Sequence, residues 1–245
     1  MKNQQKAFSL IELSIVLIVI GVLVGGIVVG NNIIKASRIQ NVIAEFEKYR
    51  KAALDFKEKY YYWPGDMPNA YDFWATGAGC ANSSAPAGCN GNGNGSMSLH
   101  TEDMRAWQFL KLAGYLSGTY AGTAYAVSPV LKADYNVPRS SFENPVGSYT
   151  TNTVINGYDF FNSTFSSTSK FAVSLIGILS SATTVEGAIR PTDAKALDRK
   201  IDDSLAASGN VAGSNSNHTV CLSAGEYDVS NNSSRLCIVN YRIEF

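Results

Sequence analysis

The sequence is short of charge and almost without histidine. Of 245 residues 16% are charged, and the histidines are His100 and His218 alone. Twenty basic and twenty acidic side chains cancel, so the chain lacks the cationic surplus with which a general nucleic-acid binder neutralises phosphates, and no specific nucleic acid is indicated as a partner. The four cysteines form no C-x-x-C pair and neither histidine has ligand-type neighbours, so no metal site is expected. Neither G-x-S-x-G nor H-E-x-x-H occurs, and no carboxylate pair stands out, so the chain is not expected to be an enzyme or to need a cofactor. Asp198, Asp202 and Asp203 lack the spacing of a calcium loop and read as a solvated helix face. The Gly91–Gly95 run, GNGNG, follows no strand and fits neither a dinucleotide turn nor a P-loop. A mean hydropathy of -0.04 leaves no room for several membrane spans, and 45% hydrophobic residues exclude a disordered chain.

Proline is absent before Pro64, and charge is absent from Leu13 to Ile34. Those 22 uncharged residues rise about 33 Å as a helix, enough to cross a hydrocarbon core of ~30 Å. Lys2 and Lys6 precede the span, which by the positive-inside rule keeps the head cytoplasmic and exports the body. The apolar run is longer than that of a secretory signal, and no A-x-A site follows it. A plain signal anchor remains as an alternative, holding an enzyme or adhesin in the periplasm. Against it stands Glu12: a carboxylate costs roughly 2.5–3.5 kcal/mol at the centre of a bilayer, less near its surface, and an anchor has no use for one.

Lys6-Ala7-Phe8-Ser9-Leu10-Ile11-Glu12, followed by the apolar run, resembles the class III signal of type IV pilins and type II secretion pseudopilins. The resemblance implies a prepilin peptidase that cuts between Ala7 and Phe8 and methylates the new amine; the family usually carries Gly where this chain has Ala7. It further implies residence in the inner membrane with the body in the periplasm, then transfer through an inner-membrane assembly platform into a filament of pilin or pseudopilin subunits, as a structural and, given the large body, minor or specialised member. Glu12 matches the family's glutamate, one helical turn from Phe8. Many members have proline where this chain has Val29. The stretches YYYWPGDMPNAYDFW, RAWQFLKLAGYL and ALDRKIDDSL also resemble a subgroup of larger pilin-like proteins.

From Ala36 the pattern turns amphipathic. Ile39, Val42, Ile43, Phe46, Tyr49, Ala53, Phe56 and Tyr60 recur at steps of three and four, predicting one helix from Phe8 to about Tyr62. Glu47 with Lys51 and Asp55 with Lys59 are expected as acid-first i,i+4 pairs. Trp63-Pro64-Gly65-Asp66 supplies the stop. The predicted organisation is a leader over 1–7, an apolar helix half over 8–34, an amphipathic half over 35–62 and a body over 63–245. In the body, 76–98 reads as a surface loop. A helix follows Thr101 with Met104, Trp107, Leu110 and Leu112 on its apolar face, and Gly114 is its expected stop. Residues 115–190 read as short strands, Asp193 to Leu205 as a helix, and the tail as a terminal β-hairpin. The expected fold is α+β and pilin-like, with the amphipathic half packed on an antiparallel sheet. An exported body sits in an oxidising compartment, where four cysteines allow three connectivities. Cys80–Cys89 would close the Gly/Asn loop, and Cys221–Cys237 would clamp the tail; the family's habit of stapling its C-terminal region favours the second pair.

Overall fold

The computed structural model describes residues 10–74, 89–96, 102–122, 132–142, 154–165, 168–179, 185–215, 221–230 and 237–244. The chain divides into two units, Met1–Gln40 and Asn41–Phe245.

Within the first unit, helix α1 (Leu10–Tyr60) begins. Every Leu, Ile and Val from Leu10 to Ile34 is at least 50% exposed. This is a segment apolar on all faces, and only lipid or other apolar helices can satisfy it.

The second unit holds the rest of α1 and the body. From Asn41 the helix buries one stripe: Val42, Phe46, Tyr49, Ala52, Ala53 and Phe56, with Ile43 and Tyr60 half-buried. The 3.6-residue period thus places the expected residues inside. The charge pairs fall otherwise than expected. Lys51 reaches forward to Asp55 at 2.6 Å, and Glu47 lies 3.6 Å from Arg50 and accepts the Tyr241 hydroxyl. The acid-first preference is worth only about 0.2–0.5 kcal/mol, and the Tyr241 hydroxyl outweighs it. The helix ends at Tyr60, two residues early, because Tyr61 turns left-handed at φ 65°.

Four more helical or strand groups follow: α2 (Ala70–Phe73), α3 (Glu102–Leu112), the strands β1 (Val154–Phe165), β2 (Thr168–Leu179) and β3 (Val185–Glu186), and α4 (Pro191–Ile201). Strands β4 (Val211–Asn215), β5 (Leu222–Ser223), β6 (Glu226–Tyr227) and β7 (Cys237–Arg242) complete the chain. One antiparallel sheet runs β1-β2-β7-β4, with β3 also paired to β2. Its register is pinned by a buried polar line: Ser174 donates to Asn240 Oδ1 at 2.7 Å, and Asn240 Nδ2 donates to Ala212 O at 3.2 Å. A one-residue slip would leave these groups unpaired in the core.

The sheet corrects three expectations. The tail is not one hairpin: among the described residues β5 pairs with β6, and β7 lies between β2 and β4. Cys237, Ile238, Val239, Asn240 and Tyr241 are all buried, the mark of a central strand rather than a one-sided hairpin arm. Among the described residues of 115–190, β1 and β2 are long, at twelve residues each, rather than short, whereas 115–122 and 132–142 hold only isolated bridge residues such as Ala133 with Val137. Helix α4 starts at Pro191, suited to a first helical turn, and ends at Ile201 where Asp202 N–H closes on Asp198 O.

The amphipathic half of α1 meets both sheet and helix. Phe46 lies 5.4 Å from Tyr241 on β7, and Arg50 Nε donates to Ile243 O at 2.9 Å. Against α3, Tyr49 meets Trp107 edge-on at 5.0 Å and Phe56 stacks near Phe109 at 6.1 Å. Helix α3 is buried on every face from Glu102 to Leu110, more completely than its apolar residues alone predict. Thr101, its expected cap, lies outside the described residues. Gly114 follows the helix at φ 82°, as a glycine stop should.

Candidate functional site

Two regions concentrate groups that packing alone does not require: the first turns of α1 and the junction of residues 63–70, 89–96 and α3.

Glu12 occupies the first turn of α1, where the helix dipole favours an anion, and its side chain is exposed among exposed Leu10, Ile11 and Leu13. Ser14 Oγ donates to Ile11 O at 2.9 Å, turning its hydroxyl back onto the helix so that it adds no unsatisfied group to the apolar face. Ala7 and Phe8 lie outside the described residues.

The junction is built round Asp66, 1% exposed. Its carboxylate accepts Asn94 N–H at 3.0 Å and Gly95 N–H at 2.8 Å, and its carbonyl accepts Gly93 N–H at 2.9 Å. Burial pushes the Asp66 carboxyl up, the three backbone donors oppose this, and neighbouring Glu102 adds to the rise. The GNGNG run therefore does cradle an anion with its amides, and the anion is the chain's own carboxylate. Glu102 Oε1 accepts Asn92 N–H at 3.0 Å, and Arg105 donates to Asn90 O at 2.9 Å. Close approach demands glycine at two points: a Cβ on Gly65 would stand 2.1 Å from Glu102 O, and one on Gly91 would stand 2.3 Å from the Asp66 carbonyl carbon.

Of the cysteines, Cys221 and Cys237 form a disulfide with Cα atoms 4.8 Å apart. It ties the segment before β5 to the start of β7, so the pair is as expected although the hairpin is not. Cys89 is disulfide-bonded and buried, at the head of the Asp66 loop. Cys80 lies outside the described residues, as do His100 and His218.

Asp198, Asp202 and Asp203 bring carboxylate oxygens within 4.8 Å of one another. The solvated helix face expected for them holds in part: Asp203 is exposed and Asp202 half-buried, both just past the end of α4, whereas Asp198 is not solvated. Asp198 is fully buried and accepts Tyr227 OH at 2.9 Å and Ser204 N–H at 3.1 Å. Asp202 accepts Asn210 N–H, and Asp203 accepts Leu205 N–H at 2.8 Å and Ser208 Oγ–H at 2.6 Å. Burial pushes the Asp198 carboxyl up to about 6 and, with Asp198 beside it, pushes the Tyr227 phenol up as well. These bonds fold the α4–β4 connection.

A family model of the prokaryotic N-terminal methylation motif matches residues 2–28. The chain carries that methylation motif. This supports a type IV pilin or pseudopilin family for a segment that includes Ala7, Phe8 and Glu12. The motif implies processing by a prepilin peptidase and assembly with other pilins, and the apolar helix behind it fits a single membrane anchor. No curated protein and no solved structure matches the chain. With its long N-terminal helix, short helices and antiparallel sheet, the fold is α+β and pilin-like.

Sequence reading singled out Ala7, Phe8 and Glu12, which the matched motif spans and of which the described residues include Glu12, and it missed Asp66. Its signal was present: an aspartate following Pro-Gly, and a glycine-rich later loop whose successive amides at 93, 94 and 95 can approach one acceptor.

Proposed function

We propose that this protein is a structural subunit of a type IV pilus or type II secretion pseudopilus, and a minor or specialised one. The observation that carries the reading is Glu12 in the first turn of a helix whose apolar side chains are exposed all round, inside the matched methylation motif. In this reading the prepilin peptidase cuts after Ala7 and methylates Phe8. The protein waits in the inner membrane with its body in the periplasm, and the assembly platform moves it into the filament.

Sister helices then replace lipid round residues 8–34. A carboxylate in such surroundings is tolerable only when paired, and breaking one partner of a buried pair costs about 3–5 kcal/mol. The amine of Phe8 on one subunit meets Glu12 of a neighbour, and the pairing sets the axial register. The body's size, residues 63–245, supports a specialised place over the bulk of a filament.

Mass spectrometry of the N-terminus tests this. The mature chain begins at N-methylated Phe8, and Ala7→Leu accumulates a precursor heavier by residues 1–7. An intact Met1 in the assembled protein, or equal maturation of Ala7→Leu, refutes it and returns the plain signal anchor.

A further inference from the structure

The loop 89–96 contains three Asn-Gly pairs in succession: Asn90-Gly91, Asn92-Gly93 and Asn94-Gly95. Asn-Gly is the dipeptide most open to deamidation, because glycine puts no side chain in the way. The glycine nitrogen loses its proton and bonds to the asparagine Cγ. The Cγ–Nδ2 bond breaks, ammonia leaves, and water opens the succinimide to aspartate or isoaspartate. Ring closure requires that nitrogen to swing toward Cγ and out of line with any acceptor it already serves.

In this fold all three nitrogens serve one short turn. Gly91 N–H donates to Met67 O at 2.8 Å, Gly93 N–H to Asp66 O at 2.9 Å, and Gly95 N–H to Asp66 Oδ2 at 2.8 Å. The asparagine side chains are held too: Oδ1 of Asn90 accepts Tyr71 N–H at 2.8 Å, that of Asn92 accepts Asn94 N–H at 2.9 Å, and that of Asn94 accepts Ser96 N–H at 2.8 Å. The hold is uneven. Asn90 is half-buried, with Arg105 on its carbonyl, whereas Asn94 and Gly95 are exposed and the space round the Gly95 Cα is open.

We propose that residues 66 and 67 guard the 89–96 loop against deamidation, and that Asn94 is the modification site uncovered when the Asp66 carboxylate no longer holds Gly95. Susceptibility follows the hold, Asn94 first and Asn90 last. The change is one-way. It places a carboxylate on the residue whose own N–H holds Asp66, which already feels Glu102, so like charges then push the loop off its turn.

The test is peptide mapping of the full-length protein in detergent, after incubation in warm, mildly alkaline buffer, with aspartate and isoaspartate resolved. Urea-unfolded protein should convert at all three sites. Native protein should convert more slowly at all three sites, by roughly ten- to a hundredfold at Asn94, whose glycine nitrogen alone of the three serves a charged acceptor; half-buried Asn90, held by Tyr71 and Arg105 as well, should be slower still. Asp66→Ala should speed Asn94 alone by a similar factor while circular dichroism shows the fold intact. If that variant unfolds, the native and unfolded wild-type rates decide. Native rates equal to unfolded ones, or Asn90 converting before Asn94, overturn the proposal.

Discussion

Replacing Phe56 with alanine asks whether the amphipathic half of α1 is the spine of the body. Phe56 is fully buried, with Tyr60 at 4.5 Å, Trp74 and Phe109 at 6.1 Å and Tyr115 at 6.5 Å between ring centroids. These rings come from α1, the segment after α2, and α3 and its exit. No single neighbour can move into the space without leaving its own contacts, so the cavity stays largely open. Truncation then costs about 3–5 kcal/mol, against a total stability of about 5–15 kcal/mol for a domain. At roughly 2–4 °C per kcal/mol for a chain of this size, the melting temperature falls by about 6–20 °C. Thermal unfolding of the full chain in detergent, followed by near-ultraviolet circular dichroism, reads it directly. Leu17→Ala in the apolar segment, where Leu17 is 63% exposed, is the control and should shift the body's transition by no more than about 0.5 kcal/mol. A fall of under about 2 °C for Phe56→Ala, or an equal fall for Leu17→Ala, refutes the packing argument.

Glu12→Leu should enter the membrane at least as well and still be processed, yet recovery in sheared filaments should drop tenfold or more, as expected for breaking a pair worth about 3–5 kcal/mol; normal incorporation would sink the register mechanism. Cys237→Ala opens a loop of 16 residues and should cost about 3 kcal/mol in denaturant unfolding, and non-reducing peptide mapping should join Cys80 to Cys89. For Asp198 the folded carboxyl titrates near 6, above its unfolded value of about 3.9. The folded state thus holds the proton longer, and this contribution to stability is full below pH ~4 and lost as pH rises through ~6. Urea unfolding of wild type and Asp198→Asn across that range should show the wild type's relative stability falling, then levelling; a rise with pH would refute the sign.

What the sequence made legible is what a local pattern can carry. The uncharged run, Glu12 and the three-and-four stripe of α1 depend on neighbours a turn away, and all lie where expected. Cys221 and Cys237 also meet as expected, though the reason offered for them, a shared hairpin, was wrong. Strand partners are not local. The stretch CIVNYR reads as a strand in any context, but its partners Ala172–Leu175 and Val211–Asn215 are distant in sequence. Its lack of polar alternation was the available hint of a central place. The Gly/Asn loop reads as solvent-facing by composition, and only the position of Asp66 shows that its amides at 93, 94 and 95 turn inward. Asp198 likewise reads as a surface charge until Tyr227, 29 residues later, closes over it.

The central place of β7 makes the sheet depend on it. Among the described residues, strands β2 and β4 share no edge and are joined through β7, while the Ile243 carbonyl just beyond it accepts from Arg50 on α1. Without β7 the facing edges of β2 and β4 are open and Phe46 of α1 loses Tyr241, a state prone to pair with other chains or to be cut. The described sheet is therefore whole only when β7 lies between β2 and β4, and a chain lacking β7 differs from one that has it by the two strand edges it exposes.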